Sequence, residues 1–259
     1  MWPIALTIAG SDPSGGAGLQ ADLKTFHQHG VYSTSVVTLL TVQNTLGVTR
    51  VETLAVDLVA QQLEAVLSDL PPLAAKSGAL GNVALVEWLA AAAKTFTFPL
   101  VVDPVMISKH GHPLLDHSAR LALIKQLLPV TTLLTPNTHE AAALTGRTIE
   151  TLADAREAAR ALAQLGPKHV LVKGGHLQGD PVDVLISGDQ LTELRAARVD
   201  TRQGHGTGCT LSSAITAHLA LGRPLSEAVA RAKTWLTEAL RTAPGLGHGV
   251  GPVNHFVKP

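Results

Sequence analysis

The sequence predicts an α/β fold in which a mostly parallel central sheet is covered by helices on both faces. Two observations predict this three-layer arrangement. Short β-branched or apolar runs alternate with longer amphipathic segments along the 259 residues, and no linker, charge run or repeat divides them. We therefore expect one domain spanning residues 1–259. In such sheets, ligands bind beyond the carboxyl ends of the strands.

The predicted strands are short runs rich in valine, isoleucine, leucine and threonine. They cover residues 4–9, 31–42, 73–77, 100–102, 131–135 and 169–173, and an antiparallel hairpin pairs 183–186 with 190–195. The predicted helices repeat apolar residues every three or four positions. They cover residues 19–29, 57–70, 83–93, 118–128, 139–145, 152–165, a segment from about 209 and a last one at 227–240. The glycine-rich residues 245–259 predict a flexible terminal loop.

Composition restricts the class of partner. Lysine plus arginine and aspartate plus glutamate both number 20, so the formal charge is zero and no basic tract offers a surface for nucleic acid. Apolar stretches stay below the roughly 20 residues that a membrane span needs. The first residues lack the basic and apolar order of a secretory signal, and a single cysteine suits a reducing compartment. We expect a cytoplasmic protein without nucleic-acid or membrane partners.

Residues 199–212 carry the strongest functional pattern. Gly204, Gly206 and Gly208 alternate with small or polar residues, and an apolar run with helical spacing follows. Glycines let backbone N–H groups turn inward, and a helix that begins there adds unpaired N–H groups and the positive end of its dipole. This pattern predicts an anion site, above all for phosphate. On the residues alone, a capping loop with Cys209 as a small buried hydrophobe is an equal alternative.

The first glycine-rich loop, at residues 10–18, favours a structural interpretation. Its sequence GSDPSGGAG fits neither the nucleoside-triphosphate loop pattern nor the dinucleotide fingerprint. We interpret it as a strand-to-helix turn with Asp12 exposed. The 12 histidines show no metal-ligand spacing, and we interpret nearly all of them as solvated.

Four polar residues at element ends could serve a nucleotide. Asn137 and Glu140 are three apart at a helix start, which favours a capping box, with Mg²⁺ binding by Glu140 as the alternative. Asp103 follows a strand and could serve the same metal. Lys173 ends another strand, where it could face a phosphate oxygen or simply be solvated.

Several motifs, spread in order over nearly the whole chain, together resemble one enzyme family. They are IAGSDPSGGAGLQADLKTF (8–26), VQNTLGV (42–48), VDPVM (102–106), LLTPNTHEAAALTG (133–146), VKGGH (172–176), HGTGCTLSSAI (205–215) and GVGPVNHF (249–256). The sequence resembles the hydroxymethylpyrimidine/phosphomethylpyrimidine kinases of the ribokinase-like superfamily. GTGCTLS is the most specific stretch, because most ribokinase-like kinases carry an aspartate where this chain has Cys209.

The resemblance implies a ribokinase-like fold and an ATP- and Mg²⁺-dependent kinase. Such an enzyme phosphorylates hydroxymethylpyrimidine and then its monophosphate, and thiamine biosynthesis consumes the diphosphate. It also implies a homodimer. The alternative is a pyridoxine/pyridoxal kinase of the cysteine-bearing branch, and a binding protein that has lost turnover is a third possibility. Ala79 bears on this choice, because the family often has methionine there over the substrate ring.

The resemblance also implies a role for each matching residue. The catalytic residues are Cys209 and the anion hole of Gly206, Thr207 and Gly208, and those for the pyrimidine are Gln43, Gly10, Asp22 and Val105. The nucleotide residues are Lys173, Asn137 and Thr207, and the metal residues are Glu140 and Asp103. Because a helix N-terminus lowers a thiol pKa, we expect Cys209 to be a thiolate at neutral pH. Lys109 and His110 are candidates to receive the charge of the monophosphate.

Overall fold

The computed structural model describes residues 2–106, 111 and 115–259, which leaves Lys109 and His110 outside the described residues. Its strands all belong to one sheet. They are β1 (Ile4–Ser11), β2 (Tyr32–Gln43), β3 (Val48–Thr53), β4 (Ala74–Ser77), β5 (Leu100–Val102), β6 (Leu133–Leu134), β7 (His169–Val172), β8 (Val182–Ser187) and β9 (Gln190–Arg195). The order across the sheet is β3-β2-β1-β4-β5-β6-β7-β8-β9.

The middle of the sheet is parallel and its two ends are antiparallel. All pairings from β2 through β1, β4, β5 and β6 to β7 are parallel, whereas β3, β8 and β9 join as antiparallel strands. The mostly parallel sheet and the 183–195 hairpin are therefore confirmed. The sequence analysis missed β3. This edge strand carries Arg50 and Glu52 as an exposed ion pair, so it lacks the apolar pattern of a buried strand.

Helices cover both faces, as predicted. They are α1 (Gly18–Gln28), α2 (Val56–Asp69), α3 (Val83–Ala93), α4 (His117–Ala122), α5 (Thr138–Thr145), α6 (Leu152–Ala163), α7 (Thr207–Ala220) and α8 (Leu225–Arg241). The helix predicted over 118–128 starts as expected but loosens after α4 into a π-helical stretch, Leu123–Leu127, and a 3-10 turn, Leu128–Val130. Pro129, which has no N–H to donate, lies in that turn.

Successive side chains of β1 point to opposite faces of the sheet, which explains the three layers. Leu6 and Ile8 pack into a core with residues of α2 to α6 on one face. Ala5 points to the opposite face, where it packs with Phe26 of α1 and Ala217 of α7. Helix α8 covers the same face farther along the sheet. Among the described residues, no helix combines the length and the apolarity that crossing a bilayer requires.

The carboxyl-terminal residues are ordered against the body of the protein, so the prediction of a flexible loop was wrong. Val250 N–H donates to the Thr45 carbonyl at 2.9 Å, and His205 N–H donates to the Gly251 carbonyl at 3.1 Å. A Cβ at Gly249 would overlap the Thr45 carbonyl oxygen. Glycine is therefore used here for close backbone approach rather than for mobility.

Several histidines are buried, which corrects their interpretation as solvated side chains. The His29 ring lies 5.0 Å from that of His218 and 4.7 Å from that of Trp235, both edge-on. Burial, together with nearby His29 and Arg223, lowers the pKa of His218 to about 4. Burial also lowers the pKa of His255 to about 4. Both rings are therefore neutral in the folded protein at neutral pH.

We predict that the folded protein loses stability as the pH falls from about 6.5 towards 4. In that window the unfolded state binds protons that buried His218 and His255 do not, so acid favours unfolding. Urea unfolding at pH 7.5 and pH 5 should show a loss of about 2 kcal/mol for each histidine. His218→Phe keeps a ring and should remove the part of the stability loss at pH 5 that His218 causes. The control is His27→Phe, at an exposed position, which should leave the pH dependence unchanged. Equal pH dependence in all three proteins would contradict the prediction.

Candidate active site

A cavity of about 690 Å³ opens at the carboxyl edge of the sheet, where the fold predicts ligand binding. Strand ends supply much of its wall. The predicted site residues that line it are Gly10, Gln43, Asp103, Val105, Asn137, Glu140, Lys173, Gly206, Thr207, Gly208 and Cys209. Of the predicted site residues that the structure describes, the fold thus brings all but Asp22 to one cavity, while Lys109 and His110 lie outside the described residues.

The N-terminus of α7 enters this cavity without a side-chain cap. Gly206 occupies the N-cap position with φ of +76°, a conformation that favours glycine, and a Cβ there would overlap the Gly16 carbonyl oxygen. Thr207 Oγ1 donates to the Gly204 carbonyl at 2.7 Å, which fixes the turn before the helix. The N–H groups of the first turn have no partner within the helix. They are therefore available to an anion at the place where the sequence predicts an anion hole.

Lys173 lies between two carboxylates beside this helix. Its Nζ donates to Asp103 Oδ1 at 2.8 Å and lies 4.0 Å from Glu140 Oε2. A Cβ at Gly208 would stand 3.1 Å from Lys173 Nζ, so the start of α7 and this lysine face each other closely. Burial disfavours the ammonium, but Asp103 and Glu140 together keep the pKa of Lys173 above its ordinary value. The alternative of a solvated lysine is therefore wrong.

Glu140 forms the capping box that its spacing predicts. Its Oε2 accepts from the Asn137 N–H at 2.7 Å, and Asn137 Oδ1 accepts from the Glu140 N–H at 2.9 Å. Burial raises the pKa of Glu140 to about 7. The ammonium of Lys173 acts in the opposite direction but offsets only part of this rise, and the carboxylate of Asp103 adds to it. Within the described part of the chain, no cluster of three metal-ligating side chains exists. A cation here would depend on two carboxylates, water and phosphate oxygens.

Cys209 is a neutral thiol, so the expectation of a thiolate was wrong. The side chain is partly buried in the first turn of α7. Burial raises the pKa of the thiol to about 11, and the carboxylates of Asp22 and Asp103 act in the same direction. Lys76 and the Gly18 N–H oppose this rise but do not outweigh it. The helix N-terminus alone does not decide the charge of the sulfur.

Asp22 does not line the cavity, which changes its predicted role as a substrate contact. It is completely buried in α1 and accepts hydrogen bonds from Thr7 Oγ1 and Ser213 Oγ, both at 2.6 Å. Lys76 Nζ donates to its Oδ1 at 2.9 Å. These contacts occupy both carboxylate oxygens, and Asp22 is not among the residues that line the cavity.

Asp12 is a site residue that the sequence analysis misjudged. It is 3% exposed and accepts from the Ser14 and Ala17 N–H groups, each at 2.9 Å, so it fixes the loop before α1. His205 Nε2 lies 2.8 Å from Asp12 Oδ2 and 3.1 Å from Gln43 Nε2. Burial opposes ionisation, but the hydrogen bonds from His205 and Ser14 hold the pKa of Asp12 below its ordinary value. The interpretation of Asp12 as exposed was wrong, and His205, next to Gly206 in sequence, was a signal that went unused.

The sequence analysis also missed a buried ion pair in the cavity wall. Lys233 Nζ of α8 lies 2.7 Å from Asp183 Oδ2, and Asp183 Oδ1 accepts from the Gly174 N–H at 2.8 Å. Both side chains line the cavity. No local motif marks them, because an amphipathic helix and a hairpin strand each carry polar residues at such positions.

Two smaller features shape the substrate end. A Cβ at Gly10 would lie 2.5 Å from Leu39 Cδ1, so a larger residue there would have to displace the buried Leu39 side chain. Ala79 lines the cavity, and its carbonyl accepts from Thr38 Oγ1 at 2.6 Å. A small alanine therefore stands in the cavity wall, at the position where the resemblance implies that methionine is common.

An uncapped helix N-terminus beside a lysine and two carboxylates is a site for phosphate groups. On an α/β sheet, this arrangement suits an enzyme of the phosphoryl-transfer class. Comparison with known proteins identifies the family. The phosphomethylpyrimidine kinase family profile matches residues 12–254, and the chain belongs to that family of kinases.

Relatives and solved structures agree with this assignment. The hydroxymethylpyrimidine/phosphomethylpyrimidine kinase of Synechococcus elongatus is 48% identical over 98% of this chain and 97% of its own length. The thiamine biosynthesis bifunctional protein ThiED of Geobacter sulfurreducens is 47% identical over 97% of this chain and 52% of its own. The ADP complex of Bacillus subtilis pyridoxal kinase is 36% identical, covers 99% of this chain and 98% of its own, and superposes with a TM-score of 0.92. The ribokinase-like fold is thereby confirmed.

Proposed function

We propose that the protein uses ATP to phosphorylate 4-amino-5-hydroxymethyl-2-methylpyrimidine and then the resulting monophosphate, in the cytoplasm and for thiamine biosynthesis. One observation carries this proposal. A single cavity holds Gln43 with His205, Lys173 with its two carboxylates, and the uncapped start of α7. The names of the relatives give the pyrimidine and thiamine assignment, and the solved ADP complex of a pyridoxal kinase supports nucleotide use.

Gln43 suits an aminopyrimidine. Its side-chain amide offers a donor beside an acceptor, which complements an exocyclic amino group next to a ring nitrogen. The amide lies at the end of β2, where its Oε1 is 3.3 Å from Thr41 Oγ1 and its Nε2 is 3.1 Å from His205 Nε2. The surrounding side chains therefore orient it before a substrate binds, which favours selective binding.

The first turn of α7 stabilises the transferred phosphoryl group. Its N–H groups and the ammonium of Lys173 face negative charge that spreads over the phosphoryl oxygens in the transition state. Asn137 and Thr207 complete the nucleotide side of the cavity. Cys209 remains protonated at neutral pH, so it positions the acceptor oxygen rather than removing its proton. A largely dissociative transition state needs no strong base.

The residues present fit Mg²⁺ bound together with the nucleotide. Glu140 and Asp103 offer the oxygen ligands that a hard cation prefers, and both line the cavity beside Lys173. When bound, the ion supplies positive charge to the phosphate oxygens. The raised pKa of Glu140 is consistent with a role in binding a cation. Lys173 compensates only part of the cost of burying this carboxylate, so a bound cation would stabilise its charged form.

Pyridoxal phosphorylation is the second candidate activity. Bacillus subtilis pyridoxal kinase shares the fold closely, and Ala79 leaves room over the substrate ring for a different aromatic alcohol. Gln43 favours the pyrimidine, because its paired donor and acceptor match the aminopyrimidine edge. We expect the pyrimidine to be the better substrate.

We predict that the purified protein converts the pyrimidine alcohol into its monophosphate and then its diphosphate, with a higher kcat/KM than for pyridoxal. Side-by-side assays with Mg-ATP, with products separated by chromatography, check this directly.

Gln43→Ala should lower kcat/KM for the pyrimidine about tenfold or more, because two hydrogen bonds are lost. Cys209→Ala should bind the pyrimidine but turn it over slowly. Absence of a second phosphate, or preference for pyridoxal, would contradict the proposal.

Glu140→Gln should raise the Mg²⁺ concentration needed for half-maximal activity by about tenfold and preserve the fold. The amide oxygen can still accept from the Asn137 N–H, whereas the charge for the cation is lost. In the unsubstituted protein, apparent Mg²⁺ affinity should rise as the pH passes about 7, because Glu140 ionises there. The variant should lose that pH dependence. Glu157→Gln on the surface of α6 is the control, and a normal magnesium titration in Glu140→Gln would leave Glu140 as a cap only.

We also propose that the protein is a homodimer that pairs through the outer face of β2 and β3. Leu40 and Val42 on this face are 48% and 56% exposed, while Thr41 and Gln43 between and beside them line the cavity. Leu46 at the following turn is 63% exposed. Glu52 and Arg50 of β3 are the cross-strand partners of Leu40 and Val42, so their ion pair borders the apolar side chains on this face. Exposed apolar side chains bordered by charged ones are typical of an interface between subunits.

We expect Leu40→Lys to produce a monomer, as measured by light scattering after gel filtration. Leu58 of α2 is equally exposed, at 48%, so Leu58→Lys is the matched control and should leave the mass unchanged. A monomeric unsubstituted protein, or a dimer that survives Leu40→Lys, would exclude this interface.

A further inference from the structure

Lys76 on β4 is a fully buried cation below the cavity. Its side chain is 0% exposed, and Asp22 Oδ1, at 2.9 Å, is its only hydrogen-bond partner among the described residues. Burying an ion pair is costly, and apolar residues of similar size would stabilise a core at least as well. The pair therefore calls for an explanation beyond packing.

The pair lies directly below the reacting end of α7. Asp22 Oδ1 also accepts from Ser213 Oγ, and Ser213 lies four residues after Cys209, on the same face of the helix. Asp22 Oδ2 accepts from Thr7 Oγ1 of β1. Lys76 Nζ is 3.7 Å from the position that a Cβ would take at Gly78, which lines the cavity floor. One ion pair thus joins β1, β4, α1 and α7.

The same charges act on the Cys209 sulfur. Lys76 lowers the pKa of the thiol, whereas Asp22 raises it. Asp103, which follows β5, also raises the pKa of the thiol. Lys173, which follows β7, is the remaining charged group that interacts with the sulfur. Of the two lysines, Lys173 lines the cavity, whereas Lys76 is fully buried and does not line it.

We propose that Lys76 is a positioning residue of the phosphoryl-transfer reaction: through Asp22 it holds the first two turns of α7 in place, and its charge sets the polarity around Cys209. The part concerning turnover rests on the proposed function. The part concerning Cys209 does not, because it is measured without a substrate. The two parts can therefore fail separately.

The test uses Cys209 as its own reporter, since it is the only cysteine in the chain. Iodoacetamide reacts with the thiolate, so the alkylation rate at fixed pH follows the small ionised fraction. We expect Lys76→Met to slow alkylation about fivefold and Asp22→Asn to speed it about fivefold. Cys209→Ser sets the background. A merely structural pair would change both rates in the same direction, and that result, or two unchanged rates, would overturn the proposal.

Two more variants separate position from charge and cover loss of folding. Ser213→Ala keeps both charges but releases Asp22 from α7, so kcat should fall about tenfold with little change in KM or in the alkylation rate. The double variant Lys76→Met with Asp22→Asn leaves no charge buried and should fold even where a single variant does not. We expect it to alkylate at close to the original rate and to show a kcat at least tenfold lower. Full kcat in the double variant would overturn the role of Lys76.

Discussion

The first turn of α7 has to expose its N–H groups inside a cavity, and the rest of the site depends on that constraint. A side-chain cap would occupy the N–H groups, so the N-cap residue is Gly206 in a left-handed conformation against the Gly16 carbonyl. The loop before α1 must then approach closely, and Asp12 fixes it through two backbone N–H groups and His205. The glycine-rich carboxyl-terminal segment packs behind the same turn.

Each buried carboxylate around the cavity has a cationic or ionisable partner. Asp103 pairs with Lys173, Asp22 with Lys76, Asp183 with Lys233 and Asp12 with His205. Glu140 is the exception, because Lys173 lies 4.0 Å away and already donates to Asp103. Its raised pKa is the consequence. We propose that a phosphate-bound cation is received on this side of the cavity. The paired carboxylates would then fix neighbouring elements of the fold, whereas Glu140 would remain available to the cation.

Sequence reasoning predicted what is local and missed what depends on distant contacts. The buried strands follow from apolar runs, and α3 and β5 have the predicted bounds. The capping box of Asn137 and Glu140 follows from a spacing of three. In contrast, Asp12 and His205 are 193 residues apart, and only folding brings their side chains together. The charge of Cys209 was missed for the same reason, because burial and two carboxylates from other elements outweigh the local helix terminus.

The neutral thiol bears on how one cavity could serve the two transfers that we propose. The first acceptor is an alcohol, which needs no strong base if the transition state is largely dissociative. The second acceptor is a phosphate monoester, whose second pKa of about 6 leaves it ionised at neutral pH. A strong base near the acceptor would help neither step, and a thiolate would repel the second substrate. Holding Cys209 protonated, with its pKa near 11, therefore keeps the site compatible with both acceptors. In this proposal, the N–H groups of α7 and Lys173 provide the stabilisation that both transfers share.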